Sequence, residues 1–421
     1  MGELFRNPAF VKLFTASFAS QMGTTIGNMA FAFYLLDHFA SQPSYASFAE
    51  LMYSLPTLVV FFLVGVAADR LDRQRIAEYS GWIRLVLTIA LLASVYAGIL
   101  PLVFTILFLR SGVAKFYAPA ETALLQGIMP EELYERAAGL NQMIFGVFML
   151  FGVGMGALAY TTIGIYGAIM LDGVGFIVSA LLVRACKIDK AVRQPAGEAS
   201  WRSLNLRSVL KDFWTGVIYV LQNRLLLTLI IGFLLFGLLN GAFAVLPMFT
   251  MKYKLVPDAY ERFMSLFAIF LGVGFMIGSA IGAELSKRLK PHIVIILSLL
   301  LLSGMMALLG VVNNVWLYLS LVSLAGILLA PLNIAIGGWL PKIVEPAMMG
   351  RVIGLTDPVL MLGQSVALGL ISLLYPQWLS LPLIYTVLAV VVLLAFILYA
   401  VTLPGLARSS NRKLEQPGIN G

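Results

Sequence analysis

Glu50, Arg110, Asp172 and Asp357 stand inside long apolar runs of this 421-residue chain. In a sequence that is 60% hydrophobic and 11% charged, these are the groups with the means to handle protons. An ionisable side chain held in lipid is costly and marks a functional position by default. A guanidinium beside a carboxylate sets that carboxylate's charge state, and its field changes whenever the helices carrying the two groups move. Asp357 is the first candidate proton carrier, since Gln364 and Ser365 follow it at helical spacing. Glu50 reads as close enough to a membrane surface to stay ionised, and Asp172 as a structural hydrogen-bond partner. His38 and His292 fall near the ends of apolar runs, so no imidazole relay is expected.

Two further patterns carry polar chemistry. Gln21, Thr24, Thr25 and Asn28 recur at intervals that place them on one face of a helix. A polar stripe in a lipid-embedded helix must face protein or a wet cavity, so it lines either a substrate cavity or a set of interhelical hydrogen bonds. Asn240 and Asn333 are the polar counterparts in the second half of the chain. The other pattern is GVAADRLDRQR at 65–75, which concentrates five charges in eleven positions.

Apolar runs long enough to cross a bilayer need about 20 residues. They fall at about 12–36, 46–68, 78–98, 102–124, 138–160, 165–184, 224–249, 259–284, 293–312, 315–340, 351–375 and 380–402. The count predicts an all-α membrane protein of twelve transmembrane helices. The first run reads as a permanent span, being too long for a cleaved leader. Lys and Arg collect in alternate connections, with Arg70, Arg73 and Arg75 in one and seven more between 184 and 211. The turns near 98–101, 160–165, 312–315 and 375–380 contain neither residue, and only 250–262 breaks the alternation, with Lys252, Lys254 and Arg262. By the positive-inside rule both termini are cytoplasmic in a cell membrane. The formal charge of +8 therefore reflects topology, and no nucleic-acid partner is expected. The single cysteine, Cys186, excludes an intramolecular disulfide framework, and the sequence has no phosphate-binding G-x-x-x-x-G-K-[ST] loop. GVGMG at 152–156 lies inside an apolar run and reads as close helix packing rather than a dinucleotide turn.

The chain repeats itself. Ala118, Pro119 and Ala123 of APAETALLQGIMP return as Ala330, Pro331 and Ala335 of APLNIAIGGWLP, and Gly139-Leu140 returns as Gly354-Leu355. Arg6-Asn7-Pro8 resembles Gln222-Asn223-Arg224 at the start of each half. Two six-helix bundles follow, at 1–184 and 216–421, the second ending in a cytoplasmic tail and the two joined by a cytoplasmic linker at 185–215. Repeated six-span halves are characteristic of secondary transporters.

The loop Gly65, Asp69, Arg70, Arg73 and Arg75 resembles the signature loop of the major facilitator superfamily, with Asp72 in place of the usual second glycine. APAETALLQGIMPEELYERAAGLNQ and LPKIVEPAMMGRVIGL are similar to the drug:proton antiporter branch of macrolide and siderophore efflux proteins. The resemblance implies two pseudo-symmetric bundles that alternate access to a central cavity. It implies that Asp69 meets the start of the eleventh span near Gly350 and Arg351, and that Arg73 pairs with Glu121, together latching the halves. It also matches Arg110 to the family's fourth-span arginine, although Gly112 follows after two residues where four are usual. The expected function is proton-coupled export of amphiphilic or cationic small molecules by a monomer embedded in membrane lipids. No cofactor beyond the proton gradient is implied. A lipid or lysolipid flippase of the same fold, or a scaffold or sensor that no longer transports, are the alternatives. No clustered nucleophile, base and metal set suggests an enzyme.

Overall fold

The computed structural model describes residues 2–130, 133–194, 206–344 and 346–415. Its helices are α1 (Gly2–Arg6), α2 (Pro8–His38), α3 (Ser44–Arg70), α4 (Arg73–Tyr96), α5 (Leu100–Ile128), α6 (Tyr134–Arg184) and α7 (Lys190–Arg193), followed by α8 (Leu206–Gln222), α9 (Arg224–Thr250), α10 (Tyr260–Arg288), α11 (Pro291–Val311), α12 (Val315–Ile343), α13 (Pro346–Leu374) and α14 (Leu381–Glu415). Among the described residues, ten helical segments are long and apolar enough to cross a membrane. The 31-residue α2, which carries the polar stripe, is long enough to span but is not among these ten. α6, which contributes Phe151–Arg184 to the ten, runs for 51 residues and is interrupted at Gly164 with φ 67° and ψ −178°. Glycine has no Cβ to forbid that conformation, so the turn expected between the fifth and sixth spans is a one-residue break between two arms.

The chain forms two compact units, Met1–Val209 and Leu210–Gly421. Helix pairing follows the same scheme in each. In the first unit α2 packs on α6, α3 on α5, and α4 on both α5 and α6. In the second α9 packs on α13 and α14, α10 on α12, and α11 on both α12 and α14. The halves also begin alike. Asn7 Oδ1 accepts from the Ala9 and Phe10 amides at 3.0 and 3.3 Å. Asn223 Oδ1 accepts from those of Leu225 and Leu226 at 3.1 and 3.3 Å. Each asparagine satisfies amides that a helix start leaves open.

Small residues let the backbones of paired helices approach. A Cβ at Gly175 would lie 2.6 Å from the Ala19 carbonyl oxygen, and one at Gly23 would lie 3.0 Å from Asp172 Cα. Gly156 of the GVGMG stretch faces Met29 and Ala30 on α2, so that stretch is a packing seam, as its apolar setting indicated. In the second unit Gly237 and Gly363 oppose each other across α9 and α13. The lysines at 252 and 254 have local employment. Lys254 Nζ donates to the Gly310 carbonyl at 2.8 Å, capping the C-terminal end of α11, where carbonyls lack partners and a cation is favoured. Lys252 Nζ lies 4.2 Å above the Tyr260 ring centroid.

Gly237→Val should cost about 1–3 kcal/mol by overpacking, read as a lower melting temperature of the solubilised protein. Gly304→Ala, where a Cβ meets nothing within 4 Å, should leave melting unchanged or slightly raised.

Candidate functional site

α2 is the spine of the first unit's polar interior. Two sets of buried ionisable groups meet it at different heights, and both depend on the spacing of its small and polar residues. The upper set joins α2, α4, α5 and α6. Arg110 Nη1 lies 2.5 Å from Asp172 Oδ2, and the two residues are only 5% and 0% exposed. The same nitrogen donates to Thr88 Oγ1 at 3.3 Å, and Nη2 donates to Asn28 Oδ1 at 3.0 Å. Thr24 Oγ1 donates to Asp172 Oδ1 at 3.3 Å. Gly23 and Gly27 lie against Asp172, leaving room for the carboxylate between Thr24 and Asn28. Both charges are thus paired and hydrogen-bonded, the condition under which charges persist in a low-dielectric interior.

The carboxylates named from the sequence sit in different surroundings. Asp172 faces Arg110 and is more than a peripheral structural partner. Asp357 is exposed on α13 and has no hydrogen bond or ion pair among the described residues. Glu50 is half-buried one turn from Tyr53 on α3. The Tyr53 hydroxyl is buried without a hydrogen-bond partner and lies within the electrostatic reach of Arg110, Glu50 and Asp172. Thr24 and Asn28 spend their polar groups on the ion pair, so this part of the stripe serves interhelical bonding. Thr25 packs against Gly152, while Gln21 is exposed. Asn240 and Asn333 are exposed as well, and Asn333 donates to the Leu329 carbonyl of its own helix at 3.1 Å.

The charged loop is shorter than its sequence suggests. α3 runs on to Arg70, leaving only Leu71 and Asp72 between α3 and α4. The side chains of Gly65, Asp69 and Arg70, like those of Gly350 and Arg351, lie outside the described residues. Asp72 caps α4, accepting from the Arg75 amide at 3.1 Å, and its carboxylate binds Arg193 and Gln194 beyond α6. Arg75 stands 3.7 Å from Asp72 with most of its side chain exposed. Arg73 Nη1 donates to the Val192 carbonyl at 3.3 Å. Glu121 instead accepts from Ser17 on Oε2, and its buried Oε1 has no hydrogen-bond partner among the described residues. The expected Arg73–Glu121 pair is not formed, because Arg73 starts α4 beside α7 whereas Glu121 faces inward onto α2. Gln74 Nε2 donates to the Val183 and Cys186 carbonyls at 2.7 and 2.8 Å, and Lys12 Nζ to that of Ala185 at 2.9 Å. The loop thereby also closes the C-terminal end of α6.

Sequence reasoning missed Arg84, only 4% exposed, whose guanidinium carbon lies 4.3 Å from the Phe176 ring centroid and 5.3 Å from that of Tyr117. It also missed Ser17, Ser20 and Thr88. Arg84 lies a few residues inside an apolar run, and counting buried charges by run would have found it.

Residues 13–367 match the model of the Major Facilitator Superfamily, and the chain belongs to that superfamily of secondary transporters. It is 53% identical to YkuC of Bacillus subtilis (strain 168), an uncharacterized MFS-type transporter, over 96% of this chain and 94% of that protein. It is 23% identical to macrolide efflux protein A of Streptococcus pyogenes, over 86% of this chain and 88% of the relative. Identity is also 23% to the multidrug efflux pump Tap of Mycolicibacterium fortuitum, over 83% and 84% of the two chains. Among solved structures, a POT family transporter in complex with 5-aminolevulinic acid aligns with a TM-score of 0.76 at 14% identity, covering 94% of this chain and 96% of that one. That likeness is one of fold.

Removing one member of the buried pair, by Arg110→Ala or Asp172→Asn, should destabilise the protein by about 3–5 kcal/mol, since the other is left uncompensated. The double variant Arg110→Met/Asp172→Leu should recover much of that loss in a melting experiment while remaining inactive in transport.

Proposed function

We propose that this chain is an exporter of amphiphilic or cationic small molecules, driven by exchange for protons. The observation that carries the reading is the buried Arg110–Asp172 pair, held by Asn28, Thr24 and Thr88 where four helices of one unit meet. A proton arriving on Asp172 cancels its charge and removes the ionic attraction between α5 and the second arm of α6. Arg110 then keeps only its bonds to Thr88 and Asn28, so α2 and α4 compete for it. The ion-pair state and the neutral-acid state favour different helix arrangements, and proton binding does work through that difference. Glu50, beside Tyr53, is the next carboxyl on the route to this pair.

Efflux is supported by the names of the distant relatives, a macrolide efflux protein and a multidrug efflux pump. Exposed Gln21 with Asn240 and Asn333 supplies substrate-facing polar groups, and Thr25 lies on the same helix. The protein works as a monomer in the cell membrane, and the Lys/Arg distribution supports placing both termini in the cytoplasm. Asp69, Arg70, Arg73 and Arg75 govern the gate at the cytoplasmic end. Asp357 has an auxiliary role at most, since no cation stands beside it among the described residues.

Export of a fluorescent lipophilic cation from cells and proteoliposomes, with and without a proton gradient, tests the reading. Wild type should export only with the gradient. Arg110→Ala and Asp172→Asn should each lose about tenfold or more in gradient-driven rate, equivalent to about 1.4 kcal/mol or more of barrier, while Asp357→Asn stays near wild type. Export indifferent to the gradient would remove the coupling claim. Transfer of a labelled lysolipid in the absence of any cation export would put the lipid reading in its place.

A further inference from the structure

Below the Arg110–Asp172 pair on α2 stands a second buried acid and base, arranged differently. Glu121 is 7% exposed. Its Oε2 accepts from Ser17 Oγ at 3.0 Å, and its buried Oε1 meets no donor among the described residues. Arg84 donates from Nη2 to Ser20 Oγ at 3.0 Å and from Nε to the Ser80 carbonyl at 3.3 Å. Its remaining surface rests on the Phe176 and Tyr117 rings. No carboxylate among the described residues is within ion-pair distance of it. Tyr117 and Glu121 are four residues apart on α5, on one helix face and about 6 Å apart along the axis. The guanidinium is therefore parked over a ring one turn from the acid it could neutralise.

A bare carboxylate with one oxygen unmet is an expensive thing to bury, and such groups become neutral instead. We infer that Glu121 is a second proton-binding site of this transporter, separate from the Arg110–Asp172 pair. In the arrangement described it is a neutral acid bonded to Ser17, and on releasing its proton it becomes a carboxylate that draws Arg84 off the Tyr117 ring. The step balances as follows: the Glu121 O–H bond breaks, its electron pair stays on the carboxylate, and the proton passes to water. Arg84, already charged, moves to compensate and exchanges no proton. Water approaches on the side of Gln21, which is exposed and donates from Nε2 to Ser17 Oγ at 3.0 Å. The groups facing this acid are Ser17 and Gln21 from α2, Arg84 from α4 and Tyr117 on α5. Phe176 and Ser179 of α6 close the far side of Arg84 and Tyr117, and Asp172 and Arg110 are the nearest other charges acting on Arg84.

The inference rests on the proton-coupled reading for its purpose but is tested without any substrate. Infrared difference spectra of the purified full-length transporter in liposomes, titrated across pH, report the carbonyl stretch of protonated carboxyl groups directly. Wild type should show a band that disappears as the pH rises. The band should be missing in Glu121→Gln and retained in Glu78→Gln, whose carboxylate lies 3.9 Å from Arg184 elsewhere. Ser17→Ala keeps the carboxyl and removes its hydrogen bond, so it should shift the same band in frequency even if the glutamine variant folds poorly. Spectra of both Glu121→Gln and Ser17→Ala that superpose on wild type would overturn the assignment. Gradient-independent export with the Glu121 band intact would leave the proton site standing and count against coupling alone. Gradient-driven export with no Glu121 band would do the reverse.

Discussion

A charge cannot be left alone in the interior of a helix bundle that sits in lipid, and the first unit is organised around that constraint. Arg110 and Asp172 come from helices 62 residues apart in sequence, and each is useless to the fold without the other. Their pairing requires α2 to supply Thr24 and Asn28 on one side and to present Gly23 and Gly27 where the carboxylate must fit. It requires α4 to bring Thr88 within reach. The close contact of α2 with α6 is at once a packing seam and the means by which a buried ion pair is completed. Desolvation makes the pair expensive, and the hydrogen bonds around it make it tolerable. A site of this kind adds little stability compared with an apolar replacement.

The two buried acid–base sets differ in how their charges are compensated. Asp172 is fully partnered, whereas Glu121 holds one hydroxyl and leaves an oxygen unmet. Arg110 is spent on a carboxylate, whereas Arg84 is spent on rings and serine oxygens. Both sets hang on α2, with Ser17, Ser20 and Gln21 serving one and Thr24 and Asn28 the other. A shift of that helix relative to α5 would therefore disturb both together.

Much of the architecture was legible in the sequence because lipid imposes length and polarity on every span. The all-helical membrane architecture, the repeated pairing of the halves and the paired asparagine starts survive in the structure, where ten segments among the described residues are long and apolar enough to span, and the asparagines have the same cap geometry in both units. Boundaries were less legible. α3 continues through Gly65 to Arg70, because charged residues at the end of a span do not stop a helix until the backbone must turn. The end-to-end joining of the fifth and sixth spans at Gly164 could not be read from apolarity, which is continuous there. Within the site, Arg110 announced itself by standing in an apolar run. Asp172 did so too, but not as its partner, because pairing across helices depends on rotation and height, which spacing along a single helix does not report. The Arg73–Glu121 expectation failed for the same reason: it matched complementary charges near one end of the bundle without knowing which way each helix faced.

Asp72 leads to a different kind of consequence. It stands where related loops have glycine, and it grips Arg193 and Gln194 at the C-terminal end of the short α7, while Arg73 takes the Val192 carbonyl and Val192 packs over Gly127. The chain that continues from α6 is thereby held at the start of α4. Any tension carried along that chain is delivered to the start of α4 and the two-residue turn before it. The segment from Ala185 to Gln194 acts mechanically as a clasp that fastens the end of α6 to the start of α4.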